Sequence, residues 1–290
     1  MRKSKIVFFY TFISLSLITV IYITLFNTSR IFSDSMAETI LQGDIILSKS
    51  YVSSIKRGRI ILFTSSTERD VTYIKRCIAL PGDTLEIRNA IIFVNGVEQI
   101  TPPTVKNYYC INCADSKKAL DKLRQLNIIV DTYDEVITTW LTKNEAKILA
   151  SEPYINSVMT ILRKPNGTQT LLYENNLPLF PIDSALSWTL HNYGPIIIPF
   201  EGMRMNPKQR VESVYHKLIC SQFANWNADS TSIEINEDFF FVVGDNRDNS
   251  TDSRHFGFVS QASITGNALL VIISRGPNGI RWRRTLKKLN

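Results

Sequence analysis

Residues 6 to 26, IVFFYTFISLSLITVIYITLF, run without a single charged side chain. At helical rise such a run spans ~30 Å, the thickness of a bilayer's hydrocarbon core. The apolar core of a cleaved signal peptide is shorter and is followed by a small-residue cleavage site. Here the next residues are Asn27-Thr28-Ser29-Arg30-Ile31, so the run reads as an uncleaved transmembrane anchor. Arg2, Lys3 and Lys5 precede it. Basic flanks stay on the cytoplasmic side, which makes residues 1–5 a cytoplasmic N-terminus and places everything after Phe26 outside. No second apolar run of spanning length follows, so the remainder reads as one extracytoplasmic body.

The chain has 33 basic and 26 acidic residues, a net charge of +7. Many of the basic residues lie at the two ends, including Arg281, Arg283, Arg284, Lys287 and Lys288. That distribution makes anionic lipid as good a partner as nucleic acid on charge alone, and membrane lipid, not nucleic acid, is the partner expected. Cys110-Ile-Asn-Cys113 is a C-x-x-C pair without a second pair at zinc-ribbon spacing, while Cys77 and Cys220 are isolated. It reads as a local disulfide or two free thiols. His191, His216 and His255 form no metal-ligating pattern, and Asp245 to Ser250 fails as a calcium loop because Arg247 takes a ligand position. Neither a metal nor any other cofactor is implied.

From Ile45 to Val97 short β-rich runs alternate with turns: Ile45 to Leu47, Ile60 to Phe63, Val71 to Ile74, and Ile91 to Val94 before the hairpin signal Asn95-Gly96. After Pro102-Pro103 the character changes. Ser116 to Leu126 and Thr142 to Ala150 carry helical periodicity behind capping residues, so residues 101–190 read as an inserted α+β module between two β-rich parts, 27–100 and 191–290. Gly194 to Pro199, Asp238 to Gly244 and Val259 to Ser274 read as strands, and Pro207 to Leu218 as a helix.

One residue does not fit a structural strand. Lys75 stands between Ile74 and Arg76 in a run that otherwise reads as buried. Either its stem lies on apolar surface with the charge in water, or burial strips its proton and makes it a base. A base needs a nucleophile. Ser33-Asp34-Ser35-Met36 lies just past the anchor, and from Phe26 to Ser35 the chain reaches at most ~30 Å.

Taken in order, Ser33-x-Ser35-Met36, Gly43-Asp44, Arg57-Gly58, Tyr73-Ile74-Lys75-Arg76 with Leu80-Pro81-Gly82-Asp83, and Gly244 to Arg254 with Gly257-Phe258-Val259 closely resemble bacterial type I signal peptidases. The matched blocks span residues 33 to 83 and 240 to 285. Departures are Glu38 where the family has proline, Ala79 for glycine, Arg59 for aspartate, and His255-Phe256 for a tyrosine–tryptophan pair.

The resemblance implies a mainly β fold: a coiled antiparallel sheet body like those of signal peptidases and LexA, with an N-terminal transmembrane helix and the inserted module. It implies a serine–lysine dyad, with Ser35 as nucleophile and Lys75 as general base. It gives Ser33, with the Ser35 N–H, to an oxyanion hole, and makes Ser250 the group that orients the lysine. Arg76, Asp245, Asp252 and Arg254 become ion-pair support, and Met36 a lining residue of the substrate pocket or a core methionine. Exported preproteins, cut after a small residue at the outer face of the bacterial inner membrane, are the implied substrates. A processing peptidase with a narrow client set and an inactive anchored binding paralogue stay open beside this reading.

Overall fold

The computed structural model describes residues 9–17, 24–50, 54–64, 71–133, 136–162, 179–180, 188–205 and 233–289. The basic N-terminus, part of the apolar run, His216, Cys220 and the helix read at Pro207 to Leu218 lie outside them. Residues 9–17 are helical and present exposed apolar side chains, among them Phe9, Phe12 and Leu15. Among the described residues no helix is long and apolar enough to cross a membrane. The end of the run differs from the sequence reading: Phe26 is the first residue of a strand, because it pairs with Lys49 across an antiparallel ladder.

The strands follow in chain order. The first group is β1 (Phe26–Arg30), β2 (Asp44–Lys49), β3 (Ile60–Thr64), β4 (Thr72–Ala79), β5 (Thr84–Arg88), β6 (Ile91–Val94) and β7 (Val97–Glu98). Next come β8 (Lys106–Cys113), β9 (Thr132–Tyr133), β10 (Ile137–Thr142) and β11 (Ile155–Thr160). The last are β12 (Tyr193–Ile197), β13 (Arg204–Met205), β14 (Ile233–Glu234), β15 (Phe239–Val243), β16 (Val259–Ser260), β17 (Ile264–Gly276), β18 (Gly279–Ile280) and β19 (Lys287–Lys288). Among the described residues every pair of these strands is antiparallel, and the fold is mainly β.

The principal sheet runs β1-β2-β17-β3-β4-β15-β16, with β18 and β19 branching from β17. Its central strands are buried on both faces, which explains why they read as continuous apolar runs. In β3, Ile60 and Leu62 enter a cluster with Met36, Ile40, Ile74 and Leu289, while Ile61 and Phe63 enter another with Cys77 and Val242. That is strand alternation with a core on each side. A second sheet, β12-β5-β6-β7, packs on β15 through Leu85, Ile87, Tyr193, Phe239 and Phe241.

Residues 106–160 build a third sheet, β11-β8-β10-β9, covered by the helices Ser116–Gln125 and Lys143–Ala150 around Ile111, Leu123, Leu141 and Leu149. Asp115 caps the first helix, and Thr142 with Glu145 forms a capping box on the second. Cys110 and Cys113 are free thiols on β8, where a three-residue separation sends them to opposite faces. This module joins the principal body at its first residue: Lys106 forms a parallel bridge with Asn246.

Candidate active site

The polar loop after β15 and the turn after β1 meet beside the middle of β4, at Lys75 and Arg76. Gly244 is the hinge of that meeting, since a side chain there would collide with the Ser250 hydroxyl and the Ser35 carbonyl oxygen. Asn246 fastens the two loops, its N–H donating to Ser35 O at 3.0 Å and its side-chain amide to Asp34 O at 3.1 Å.

Into this junction β4 projects Lys75. By alternation it shares a face with Tyr73 and Cys77, and it pairs in register with Ile61. Lys75 is 3% exposed, and its Nζ lies 2.7 Å from Ser35 Oγ and 3.1 Å from Ile74 O. Tyr73, Phe63 and Phe256 form an aromatic cluster beside it, with the Tyr73 ring centroid 5.9 Å from Nζ. Burial lowers the lysine pKa to about 8 against the opposing pull of the Asp252 carboxylate. At neutral pH an ordinary lysine of pKa ~10.4 is neutral only about once in 2,500 molecules; at a pKa of about 8 the share is roughly one in ten.

Ser35 is itself buried, and Ser33 Oγ stands 3.3 Å from its hydroxyl. Ser250 Oγ is buried and makes no hydrogen bond. Met36, weighed as a pocket wall, is 1% exposed; it packs with Ile31 and Ile40, and its sulfur accepts from Asp245 N–H at 3.4 Å. It is a core methionine.

Two forked arginine–carboxylate pairs frame the junction. Arg76 donates to Asp245 through Nε at 2.8 Å and Nη2 at 2.6 Å, and its Nη1 donates to Gly58 O. Arg254 grips Asp252 at 2.9 and 2.8 Å, and that carboxylate also accepts Gly244 N–H. Burial pushes the Asp252 pKa up, but the Arg254 charge and hydrogen bonds outweigh it and bring the value to about 2.

Several partners have no sequence-local signal. Thr39 donates to Asp245 at 2.5 Å. Asp248 accepts from Tyr108 N–H and lies 2.7 Å from His191 Nε2, so Tyr108 of the middle segment and His191 at the start of the second β-rich part hold the polar loop. Glu38, where a proline was expected from the resemblance, pairs with Lys106 at 2.8 Å. The basic tail does not all face outward: Arg284 and Arg281 turn to the buried Asp44.

A serine endopeptidase, a hydrolase built on antiparallel sheets, is the class to which these features and the known relatives assign the chain. It belongs to the family described as "Signal peptidase, peptidase S26", whose profile matches residues 4–134 and 200–273, more than half of its length. The profile runs through residue 134, so the first part of the segment read as an insert lies within the family pattern. Among curated relatives it is 24% identical to the signal peptidase I of Buchnera aphidicola from Acyrthosiphon pisum over 97% of this chain and 77% of that one. It is 26% identical to the signal peptidase I of Aquifex aeolicus over 83% of this chain and 73% of that one. A crystal structure of a signal peptidase I from Enterococcus faecalis aligns with a TM-score of 0.28 at 19% identity, covering 75% of this chain and 98% of that one.

Proposed function

We propose that the protein is a membrane-anchored signal peptidase that cuts exported preproteins after a small residue through a Ser35–Lys75 dyad. The observation that carries this reading is the 2.7 Å approach of a buried, pKa-lowered Lys75 to Ser35 Oγ. In its neutral form Lys75 accepts the Ser35 proton as Oγ attacks the scissile carbonyl. The tetrahedral oxyanion is met by the Ser35 N–H and the Ser33 hydroxyl, one such donor being worth about 3 kcal/mol. The carbon–nitrogen bond breaks as the Lys75 ammonium returns its proton to the leaving amine, which leaves an acyl-enzyme. Lys75 then takes a proton from the water that attacks the acyl carbon, and returns it to Ser35 Oγ as the ester bond breaks, which frees the serine and releases the acid. Ser250, with its buried hydroxyl unbonded, is the group that accepts an N–H of neutral Nζ and so aims the lysine lone pair at the Ser35 hydroxyl. An extended substrate pairs beside the site by strand addition, and no step calls on a cofactor.

The apolar run of residues 6–26 supports a single-pass anchor in the bacterial inner membrane, N-terminus inside and catalytic body outside. A narrower reading, a dedicated processing peptidase, draws support from the Lys106–Glu38 pair that joins the middle segment to the turn bearing Ser35. The test incubates the detergent-purified full chain with several labelled preproteins beside folded Ser35→Ala and Lys75→Ala variants. Cleavage of most preproteins by the parent alone is the expected result. Cleavage of one client class selects the narrower reading, and activity surviving in Ser35→Ala removes the dyad.

A further inference from the structure

Beyond the dyad, and resting on Ser35 as nucleophile, we propose that the C-terminal segment 281–289 is a clasp that positions Ser35, with Arg284 as its positioning residue. Arg284 donates from Nη1 to Glu38 O at 3.2 Å and from Nη2 to Thr39 O at 3.0 Å and to Asp44 Oδ2 at 2.7 Å. One guanidinium thus ties two carbonyls of the turn that follows Ser35 to the carboxylate at the start of β2. Asp44 is fully buried, and its Oδ2 also accepts Leu41 N–H, closing the same turn. Arg281 adds a bond to Gln42 O at 3.1 Å.

The segment is anchored at its far end. Leu289 is buried in the cluster that holds Met36 and Ile40, its N–H donates to Leu269 O, and Lys287 and Lys288 pair with Val271 and Leu270. Thr39 therefore has its carbonyl held by the tail and its hydroxyl held by Asp245. The turn leaving Ser35 is gripped from both sides, by the tail and by the polar loop that also fastens Ser35 O through Asn246.

A planar guanidinium is suited to this task because its donors sit in a fixed fork. Releasing the turn lets the nucleophile drift from attack geometry, where a shift of about 1 Å costs about a hundredfold in rate. The neighbouring Arg283 is exposed and supplies a control for general basic charge in the tail.

The test measures kcat and KM of the full-length protein in detergent on a quenched signal-peptide substrate, for the parent, Ser35→Ala, Arg284→Ala, Arg284→Lys and Arg283→Ala. Arg284→Ala is expected to lose about ten- to a hundredfold in kcat at unchanged KM, with partial recovery on adding methylguanidinium and none on adding methylammonium. Arg284→Lys, which keeps charge but not the fork, is expected to fall between, and it carries the test if the alanine variant does not fold. Arg283→Ala keeps the parent rate. Parent-like kcat in the Arg284 variants, a loss confined to KM, an equal loss in Arg283→Ala, or failure of methylguanidinium to restore the rate overturns the clasp. An active Ser35→Ala overturns instead the dyad on which it rests.

Discussion

At the scale of single residues, the proposed chemistry turns on the proton of Lys75. With a pKa of about 8, kcat/KM should rise tenfold per pH unit below that value and level off above it, provided the substrate does not titrate in that range. Lys75→Arg should be inactive at every pH below about 11, since guanidinium does not release its proton. The same burial has a stability cost with a defined sign. A lysine whose folded pKa lies below its unfolded value disfavours folding at neutral pH, and the penalty fades as pH rises from about 8 towards ~10.5. Lys75→Met should therefore raise unfolding free energy at pH 7 by up to roughly 3 kcal/mol, read by urea titration, with the advantage gone above pH 10.5.

At the scale of elements, the polar loop is held as a preformed part by two buried ion pairs. Arg76→Ala leaves Asp245 as an uncompensated buried charge and should cost about 3–5 kcal/mol, whereas the exposed Arg124–Asp121 pair should contribute little. Asp252, with its pKa depressed to about 2, contributes stability that is present above about pH 4 and lost as pH falls through 2. Asp252→Asn should flatten that part of an acid-unfolding curve, measured by circular dichroism. The strands on either side of Lys75 were legible in the sequence because alternation, turn residues and the Asn95-Gly96 hairpin are local signals. Of the candidate site, Ser35, Lys75 and the loop Gly244 to Arg254, which lie together in the structure, were legible through a recognisable run of polar residues. Thr39–Asp245, Asp248–His191 and Arg284–Asp44 were not, because each joins residues far apart in sequence with no periodicity to announce the contact. Met36 went unresolved for a related reason: a methionine beside a serine reads alike whether its side chain faces a groove or the core.

For the whole molecule, the border between the apolar run and the β-rich body decides what can be removed. β1 starts at Phe26 and covers the edge of β2, so a chain cut after Leu25 keeps the sheet intact. One cut after Arg30 exposes five unpaired backbone positions of β2, an edge open to self-association. The former should give a strand-dominated circular dichroism spectrum and stay monodisperse in gel filtration, and the latter should aggregate. In cells, the full chain should resist extraction from membranes by alkaline carbonate, whereas the chain beginning at Phe26 should be released.

The most direct measurement is a pH titration of Lys75 itself. In full-length protein carrying 13C-lysine, the Cε resonance of Lys75 is assigned by its absence from Lys75→Met and followed from pH 6 to about 11. A midpoint near 8, matching the midpoint of kcat/KM, is the predicted result. A midpoint above 10 with full activity at pH 7 would contradict Lys75 as the base.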